Sequence, residues 1–148
     1  MHYENPRPAV TVVAVQNGNI LLVQRAVPPA LGEWCLPGGF MELRESAAEA
    51  AHRELKEETD LSAANLSLLG TCPFPGGIEQ DLLVLGFVAE GIKGTIKPGD
   101  DAQDAQYFPL HDHPRVAFRC HREIIRQYQN RGLEIPVDSF VNDVQKPG

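Results

Sequence analysis

The sequence predicts an α/β fold in which a mixed β-sheet carries helices on both faces. Three observations lead to this prediction: apolar segments of strand length recur along the chain, an Asn-Gly pair marks a hairpin, and two segments have helical periodicity. The 148 residues are 43% hydrophobic and 22% charged, which is ordinary for one domain with its own core. We therefore predict a single domain over residues 1–148, with residues 132–148 as a loose C-terminal tail.

Predicted strands alternate with loops through most of the chain. Residues 9–15 are apolar and rich in β-branched side chains, and residues 20–24 return as a second strand after the turn at Asn17 and Gly18. Two prolines make residues 26–33 a loop. Further strands are predicted at residues 66–69, 81–88 and 107–108, with a proline–glycine turn at 71–77 and a loop at 93–103.

The first predicted helix begins at a capping box. Ser46 is followed three residues later by Glu49, so each side chain can satisfy a backbone donor at a helix start. The helix is predicted over Ala47–Thr59, with alanine and leucine on the stripe that packs inward. At about 100° per residue, three glutamates then share one face: Glu54, Glu57 and Glu58. A second amphipathic helix is predicted over residues 118–129.

The three glutamates allow two interpretations. They can form a solvated acidic face, relieved by an i,i+4 pair between Glu49 and Arg53. Alternatively, they bind a hard divalent cation, which takes oxygen ligands from carboxylates and backbone carbonyls. A glycine-rich approach at residues 36–39, and a polar loop that brings Glu45 to the same end of the helix, favour the metal site.

The stretch from Gly39 to Leu61 resembles the Nudix box, G-x5-E-x7-R-E-U-x-E-E-x-G-U, in which U is a bulky aliphatic residue. One specified position departs: Asp60 stands where the pattern has a glycine that would end the helix in a left-handed conformation. Residues 32–39 are similar to the strand that leads into this box. The resemblance is to the Nudix hydrolases, and it implies an α/β/α sandwich with a loop–helix–loop motif.

The resemblance also implies a set of metal ligands. In this family the box binds Mg²⁺ or Mn²⁺. Carried over by position, Glu54 and Glu58 are the principal ligands and Glu57 is a further ligand. The carbonyl of Gly39 joins them, and Glu45 ligates through water or holds the loop.

Catalytic roles follow from the same resemblance. Arg53 would orient Glu54 through a hydrogen-bonded ion pair rather than contact the substrate. The family takes its general base either from the box or from a loop. The general base therefore stays open between Glu54, Glu57 and Asp104.

Substrate residues are predicted outside the box. The P-F-P sequence at 73–75 is similar to part of a longer element in NADH pyrophosphatases, so Phe74 either stacks on a base or fills a turn. Asp104 and Tyr107 occupy the Glu and Trp positions of the E-A-x-W-F element found in many ADP-ribose-type members, although Asp104 can equally be a solvated loop acid. Arg25, Phe74 and Tyr107 are assigned to substrate binding.

The net charge of the chain limits which partners it can bind. A net charge of −7 argues against nucleic acid, and it requires cations between these carboxylates and a phosphate-bearing substrate. Because there is no membrane-spanning run or signal peptide, we expect a cytoplasmic protein without a membrane partner, and a homodimer is left open.

The chain has three widely spaced cysteines, at positions 35, 72 and 120: Cys35, Cys72 and Cys120. We therefore expect buried thiols rather than a disulfide framework, a zinc site or a zinc ribbon.

The sequence thus predicts a divalent-metal-dependent hydrolase that cleaves the phosphoanhydride bond of a nucleoside diphosphate linked to another group. ADP-ribose, or a related dinucleotide such as NADH or FAD, is the first choice of substrate. The alternatives are a nucleoside triphosphate pyrophosphohydrolase and a nucleotide-binding or sensor module without turnover. A sensor would be expected to carry a damaged box, whereas every box carboxylate is present here.

Overall fold

A computed structural model describes residues 5–75 and 81–131. The predicted tail at residues 132–148 lies outside these ranges. No helix in the described ranges combines the length and the apolar character needed to cross a membrane. The elements in chain order are β1 (Arg7–Gln16), β2 (Asn19–Arg25), β3 (Trp34–Cys35), β4 (Gly38–Phe40), α1 (Ala47–Thr59), β5 (Ser62–Phe74), β6 (Leu82–Lys93), β7 (Ala102–Pro109) and α2 (Arg119–Asn130).

The strands form one mixed sheet, as predicted. The main path runs β3-β2-β1-β6-β5, while β4 pairs with β1 and β7 pairs with β2. The pair β1·β6 is parallel and extends from Arg7 opposite Leu82 to Ala14 opposite Ala89. The other pairs between these strands are antiparallel, including the predicted hairpin of β1 and β2.

The two helices cover opposite faces of the sheet. Because successive side chains of a strand point to opposite faces, Val12 and Val13 of β1 belong to different core clusters. Val12 packs with Leu55 of α1, whereas Val13 packs with Ile124 of α2. The α/β/α sandwich is therefore confirmed.

Several predicted boundaries differ from the structure. The strand predicted at 107–108 is β7, which begins at Ala102, so the loop predicted at 93–103 is wrong over its last two residues. The strand expected at residues 66–69 is β5, which extends to Phe74, so the turn predicted at 71–77 is wrong over Thr71–Phe74. Residues 76–80 lie outside the described ranges. The strand continues because β5 pairs with β6 up to Phe74 opposite Leu82, and this long-range ladder outweighs the local turn preference of Pro73.

The expectation for the cysteines was also wrong in part. Cys72 of β5 and Cys120 of α2 form a disulfide, with their Cα atoms 5.6 Å apart although the two residues are 48 positions apart in sequence. Only Cys35 is a free and buried thiol, as expected. Spacing rules compare neighbours in the chain, whereas this pair is brought together by the packing of α2 on β5.

Candidate functional site

Helix α1 has the ends that the sequence predicts. The Ser46 hydroxyl accepts a hydrogen bond from the Glu49 N–H, and the Glu49 carboxylate accepts one from the Ser46 N–H, each at 3.1 Å. The helix ends at Asp60, whose φ of 63° is left-handed and whose N–H donates to the Lys56 carbonyl. An aspartate can therefore fill the position where the Nudix pattern has glycine.

Arg53 joins the loop and the helix of the site. Its guanidinium donates to both carboxylate oxygens of Glu45, at 2.7 and 3.0 Å, and to the Phe40 carbonyl at 3.0 Å. It also donates to Glu54 at 2.8 Å and to Glu57 at 3.2 Å. The predicted orienting contact between Arg53 and Glu54 is present.

The pair of Glu49 with Arg53 that a solvated acidic face would use is not among the ion pairs formed by the described residues. The Glu49 carboxylate is engaged at the helix cap instead. The charge of Arg53 is therefore shared among Glu45, Glu54 and Glu57 rather than paired with Glu49.

The glycine approach lies directly against the helix glutamates. The Gly38 N–H donates to Glu58 Oε2 at 2.8 Å. A Cβ atom on Gly39 would lie 2.5 Å from Glu54 Oε1, so a side chain at this position would displace the Glu54 carboxylate from its present place. The backbone of Gly38 and Gly39 therefore lies next to Glu58 and Glu54, two of the predicted ligands.

The carboxylates of the site have contrasting electrostatic environments. Burial raises the pKa of Glu58 to about 8, with a further increase from the charge of Glu54, against the opposing hydrogen bond from Gly38. Burial also raises the pKa of Glu54, although Arg53 opposes this. The hydrogen bonds from Arg53 instead lower the pKa of Glu45 to about 2. At Glu54, burial thus outweighs the charge of Arg53, and Glu58 forms no ion pair among the described residues, whereas the contacts with Arg53 outweigh burial at Glu45.

A cleft of about 260 Å³ opens beside this face of α1. Five acidic residues line it: Glu54, Glu57, Glu58, Asp100 and Asp101. The two aspartates were missed as site residues, although Gly99-Asp100-Asp101 is visible in the sequence as a glycine followed by two acids. Proximity to α1 was the missing information, because it depends on how the loop before β7 folds.

Backbone contacts place this aspartate loop. The Gly99 N–H donates to the Glu58 carbonyl at 3.1 Å, and the Ala26 N–H donates to the Asp101 carbonyl at 2.9 Å. A Cβ atom on Gly99 would lie 2.0 Å from the Glu57 carbonyl oxygen, so glycine permits this contact. The loop is therefore held against the C-terminal half of α1, where two of the predicted ligands lie.

The donor set of the cleft fits a hard divalent cation. All five lining side chains are carboxylates, and Mg²⁺ and Mn²⁺ prefer oxygen ligands. In the described part of the chain, no three acidic, histidine or cysteine side chains converge as a finished ligand cage. The reason is visible in the contacts, since Arg53 holds Glu54 and Glu57 while the Gly38 amide holds Glu58. One oxygen of each of these three carboxylates is therefore engaged by a donor of the protein itself.

The remaining predicted site residues lie on neighbouring strands. Asp104 stands opposite Gln24 on β7, and its carboxylate accepts hydrogen bonds from the Ala105 N–H and the Gln106 side chain. It is not among the residues that line the cleft. The structure therefore brings Asp100 and Asp101 to the box, but it does not bring Asp104.

The three residues assigned to substrate occupy different surroundings. The Arg25 side chain donates to the Pro29 carbonyl at 2.6 Å and lies 5.2 Å from the ring centre of Phe118. Phe74 is half-buried at the end of β5 and packs on the core beneath α2. Tyr107 packs against the core beneath α1, with a buried hydroxyl that has no hydrogen-bond partner among the described residues. Their substrate roles stay predictions.

The α/β/α sandwich, with a carboxylate-lined cleft beside a capped helix, is the arrangement that the resemblance to the Nudix hydrolases implies. A model of the NUDIX domain matches residues 5–128. The chain belongs to the Nudix family, and the predicted family and enzyme class are confirmed. Members of this family generally need divalent metal ions.

Curated relatives support the same assignment. The chain is 39% identical over 127 residues to an ADP-ribose pyrophosphatase of Methanocaldococcus jannaschii, covering 85% of this chain and 75% of that protein. It is 32% identical over 120 residues to the NAD-capped RNA hydrolase NudC of Vibrio atlanticus, covering 79% of this chain. The match spans only 42% of that longer protein.

Solved structures share the fold. A MutT NUDIX hydrolase from Burkholderia pseudomallei has a TM-score of 0.77 and 26% identity, covering 84% of this chain and 98% of that chain. The NUDIX domain of NrtR from Shewanella oneidensis, solved in complex with ADP ribose, has a TM-score of 0.71 and 25% identity. That match covers 87% of this chain and 90% of the NrtR domain.

Proposed function

We propose that this chain is a divalent-metal-dependent pyrophosphatase that hydrolyses ADP-ribose or a closely related nucleoside diphosphate derivative. The observation that carries the proposal is the cleft beside α1, where three box glutamates face two loop aspartates. The pyrophosphatase of Methanocaldococcus jannaschii supports ADP-ribose as the substrate, since the chain covers 75% of its length, against 42% of the NudC of Vibrio atlanticus.

Glu54, Glu57 and Glu58 would hold Mg²⁺ or Mn²⁺, with the Gly39 carbonyl as a neighbouring oxygen ligand. The metal supplies neutralisation of the diphosphate charge and a lowered pKa of bound water. Arg53 keeps Glu54 and Glu57 in place while its bidentate contact to Glu45 holds the loop of the box. With its negative charge offset by the cation, the acidic cleft could then admit a polyanionic substrate.

For the general base we favour the aspartate loop over Asp104. Asp101 lines the cleft and lies close enough to Glu58 to raise the pKa of that residue. Asp104 is bonded within its own strand instead. In this proposal Asp101 takes a proton from the attacking water, and Glu57, which is 57% exposed, is the alternative base on the helix.

The reaction adds water across one phosphoanhydride bond. The water oxygen forms a bond to one phosphorus while the bridging oxygen leaves with the other phosphate. ADP-ribose would give AMP and ribose 5-phosphate.

The net charge of −7 favours a small-molecule substrate over nucleic acid. The cytoplasmic location and the homodimer stay predictions.

A hydrolysis panel tests the proposal. The purified chain is assayed with Mg²⁺, Mn²⁺ or EDTA on ADP-ribose, NADH, FAD, a nucleoside triphosphate and NAD-capped RNA. We expect the highest kcat/KM on ADP-ribose and no turnover in EDTA. A preference for triphosphate, or for capped RNA as the name of the NudC relatives suggests, would overturn the substrate. Tight nucleotide binding without turnover would identify a sensor.

A further inference from the structure

The chain crosses between two parts of the sheet just before the metal site. Strand β3 pairs with β2, whereas β4 pairs with β1. Leu36 and Pro37 form the connection between them, and Leu36 is only 1% exposed. The position of Gly38 and Gly39 against the helix glutamates therefore depends on how this buried crossing is held.

Three hydrogen bonds hold the crossing. The Leu36 N–H donates to His121 Nδ1 at 3.1 Å, and the Val12 N–H donates to the Pro37 carbonyl at 2.9 Å. The third bond is the one from the Gly38 N–H to Glu58. The crossing is thus tied to α2, to β1 and to α1 over three consecutive residues.

We propose that His121 is a positioning residue for the metal site, acting through the Leu36 amide on the backbone of Gly38 and Gly39. The inference rests on the proposed function, because it assigns His121 to the same site. His121 lies 85 residues from Leu36 in sequence and belongs to the helix on the opposite face of the sheet. It links α2 to a site otherwise built from α1, the segment that leads into it and the aspartate loop before β7.

The chemistry of the ring suits a fixed acceptor. Because a backbone N–H can only donate, Nδ1 must be the unprotonated nitrogen, so the bond requires the neutral imidazole. Burial, with the charge of Arg25, lowers the pKa of His121 to about 3, which keeps the ring neutral at ordinary working pH. The edge of the ring also contacts Phe118, with 5.0 Å between ring centres, which restricts rotation away from Leu36.

Loss of the acceptor should act on metal affinity. His121→Leu leaves the buried Leu36 N–H without an acceptor, which is unfavourable. The segment at Leu36 and Pro37 is then expected to shift until this N–H finds another acceptor or water. Movement of Leu36 and Pro37 displaces Gly38 from Glu58 and Gly39 from Glu54. Outer contacts that orient metal ligands typically contribute about 10-fold to 100-fold in metal affinity, and we expect about 10-fold weaker binding here.

His121→Asn is the matched control. The Asn Oδ1 atom occupies nearly the same position relative to the backbone as Nδ1 of histidine, so it can accept the Leu36 N–H. His121→Gln has a similar polarity but places its amide one carbon further out. The inference predicts that the Asn variant keeps the affinity of the wild type and that the Leu and Gln variants lose it.

The test titrates Mn²⁺ directly by electron paramagnetic resonance on the wild type and the three variants. Steady-state kinetics and hydrogen exchange at the Leu36 amide are measured on the same proteins. We expect faster exchange at Leu36 and weaker Mn²⁺ binding in His121→Leu, with both restored in His121→Asn. If His121→Leu does not fold, His121→Gln is the variant in which weaker Mn²⁺ binding and faster exchange at Leu36 are expected.

Two outcomes overturn the inference. One is wild-type Mn²⁺ affinity in His121→Leu or His121→Gln with an exposed Leu36 amide. The other is equal loss in His121→Asn while the amide stays protected, which would give the imidazole a different role. Absence of Mn²⁺ binding in the wild type itself would instead remove the proposed function, together with any inference that depends on it.

Discussion

Glu45 and Glu58 flank the same site but differ in their electrostatic surroundings. Arg53 contacts Glu45 through two hydrogen bonds and lowers its pKa to about 2, whereas burial raises the pKa of Glu58 to about 8. A carboxylate that is already paired is suited to holding a loop. A buried carboxylate without a compensating cation is suited to binding one. At the scale of single residues, this contrast separates the structural glutamate from the proposed ligand.

Removing the charge of a ligand should remove most of the activity. Glu54→Gln and Glu58→Gln are each expected to lower kcat by at least about 10²-fold, the scale seen when an electrostatic or acid–base group is lost. Glu90→Gln, at an exposed position on β6, is the control. Steady-state kinetics at saturating Mg²⁺ measure the effect. Turnover equal to the wild type in either ligand variant would exclude that residue from the site.

The proposed base can be tested against its sequence-based rival. Asp101→Asn should lower kcat by about 10²-fold and flatten the acidic limb of the pH–rate profile, because the group that accepts the proton is lost. Asp104→Asn should leave both nearly unchanged, since its carboxylate is engaged within β7. The pH dependence of kcat is measured for both variants. The opposite ranking would return the role to Asp104.

At the scale of elements, α1 combines a ligand face with a buried face. Its Glu54, Glu57 and Glu58 face the cleft, while Ala51 and Leu55 are fully buried against the sheet. The capping box sets where this helix begins, so it also sets the rotation at which the glutamates emerge.

Loss of the cap should lower stability. Ser46→Ala removes the acceptor for the Glu49 N–H and is expected to cost about 1 kcal/mol of unfolding free energy. For a chain of this size that corresponds to a decrease in Tm of about 2–4 °C. Ser67→Ala, at an exposed position on β5, is the matched control. A thermal melt in which both variants have the same Tm would show that the cap does not stabilise α1.

Elements set by local sequence were predicted, and contacts set by distant sequence were not. The caps of α1 and the turn at Asn17 and Gly18 depend on residues that are adjacent or nearly adjacent in sequence. The helix and the hairpin could therefore both be predicted. The Cys72–Cys120 disulfide links residues 48 positions apart, and the bond from Leu36 to His121 links residues 85 positions apart. No local pattern records either contact, because each exists only once α2 packs on the sheet.

The site shows the same division. The box fixed Glu54, Glu57, Glu58 and Arg53 on one helix, and the structure places all four together. The identity of the loop carboxylate that reaches the cleft depends on how the chain folds between β6 and β7. Resemblance to a motif selected Asp104, whereas the contact of Gly99 with Glu58 brings the preceding aspartates to the cleft.

At the scale of the whole molecule, cation binding should stabilise the fold. In the proposed function the assembled carboxylates would bind divalent metal better than the unfolded chain does, so the expected gain in unfolding free energy is RT ln(1 + [L]/Kd), about 2.7 kcal/mol at 100 Kd. The Tm should rise by several degrees with Mn²⁺ or Mg²⁺ relative to EDTA. Glu58→Gln should show a smaller increase. An equal metal-induced shift in both proteins would place the cation elsewhere.

The stability of the metal-free protein should depend on pH in a particular direction. The folded pKa of Glu58, about 8, lies above the ordinary value of 4.5, so between these pH values the unfolded chain releases a proton that the folded chain retains. The unfolding free energy in EDTA is therefore expected to fall as pH rises from about 5 through about 8. Denaturant melts of wild type and Glu58→Gln measure it, and a smaller slope in the variant is required.

The parallel pairing of β1 with β6 makes the catalytic segment dependent on the rest of the chain. The box lies inside the loop that this pairing closes, between Ala14 and Leu82. A 13-residue helix is only marginally stable alone in water, and the inner face of α1 is covered by both strands. The motif is therefore not a portable cassette: a peptide spanning it, or a nascent chain that has not yet released β6 from the ribosome, would carry the acidic residues without their common face.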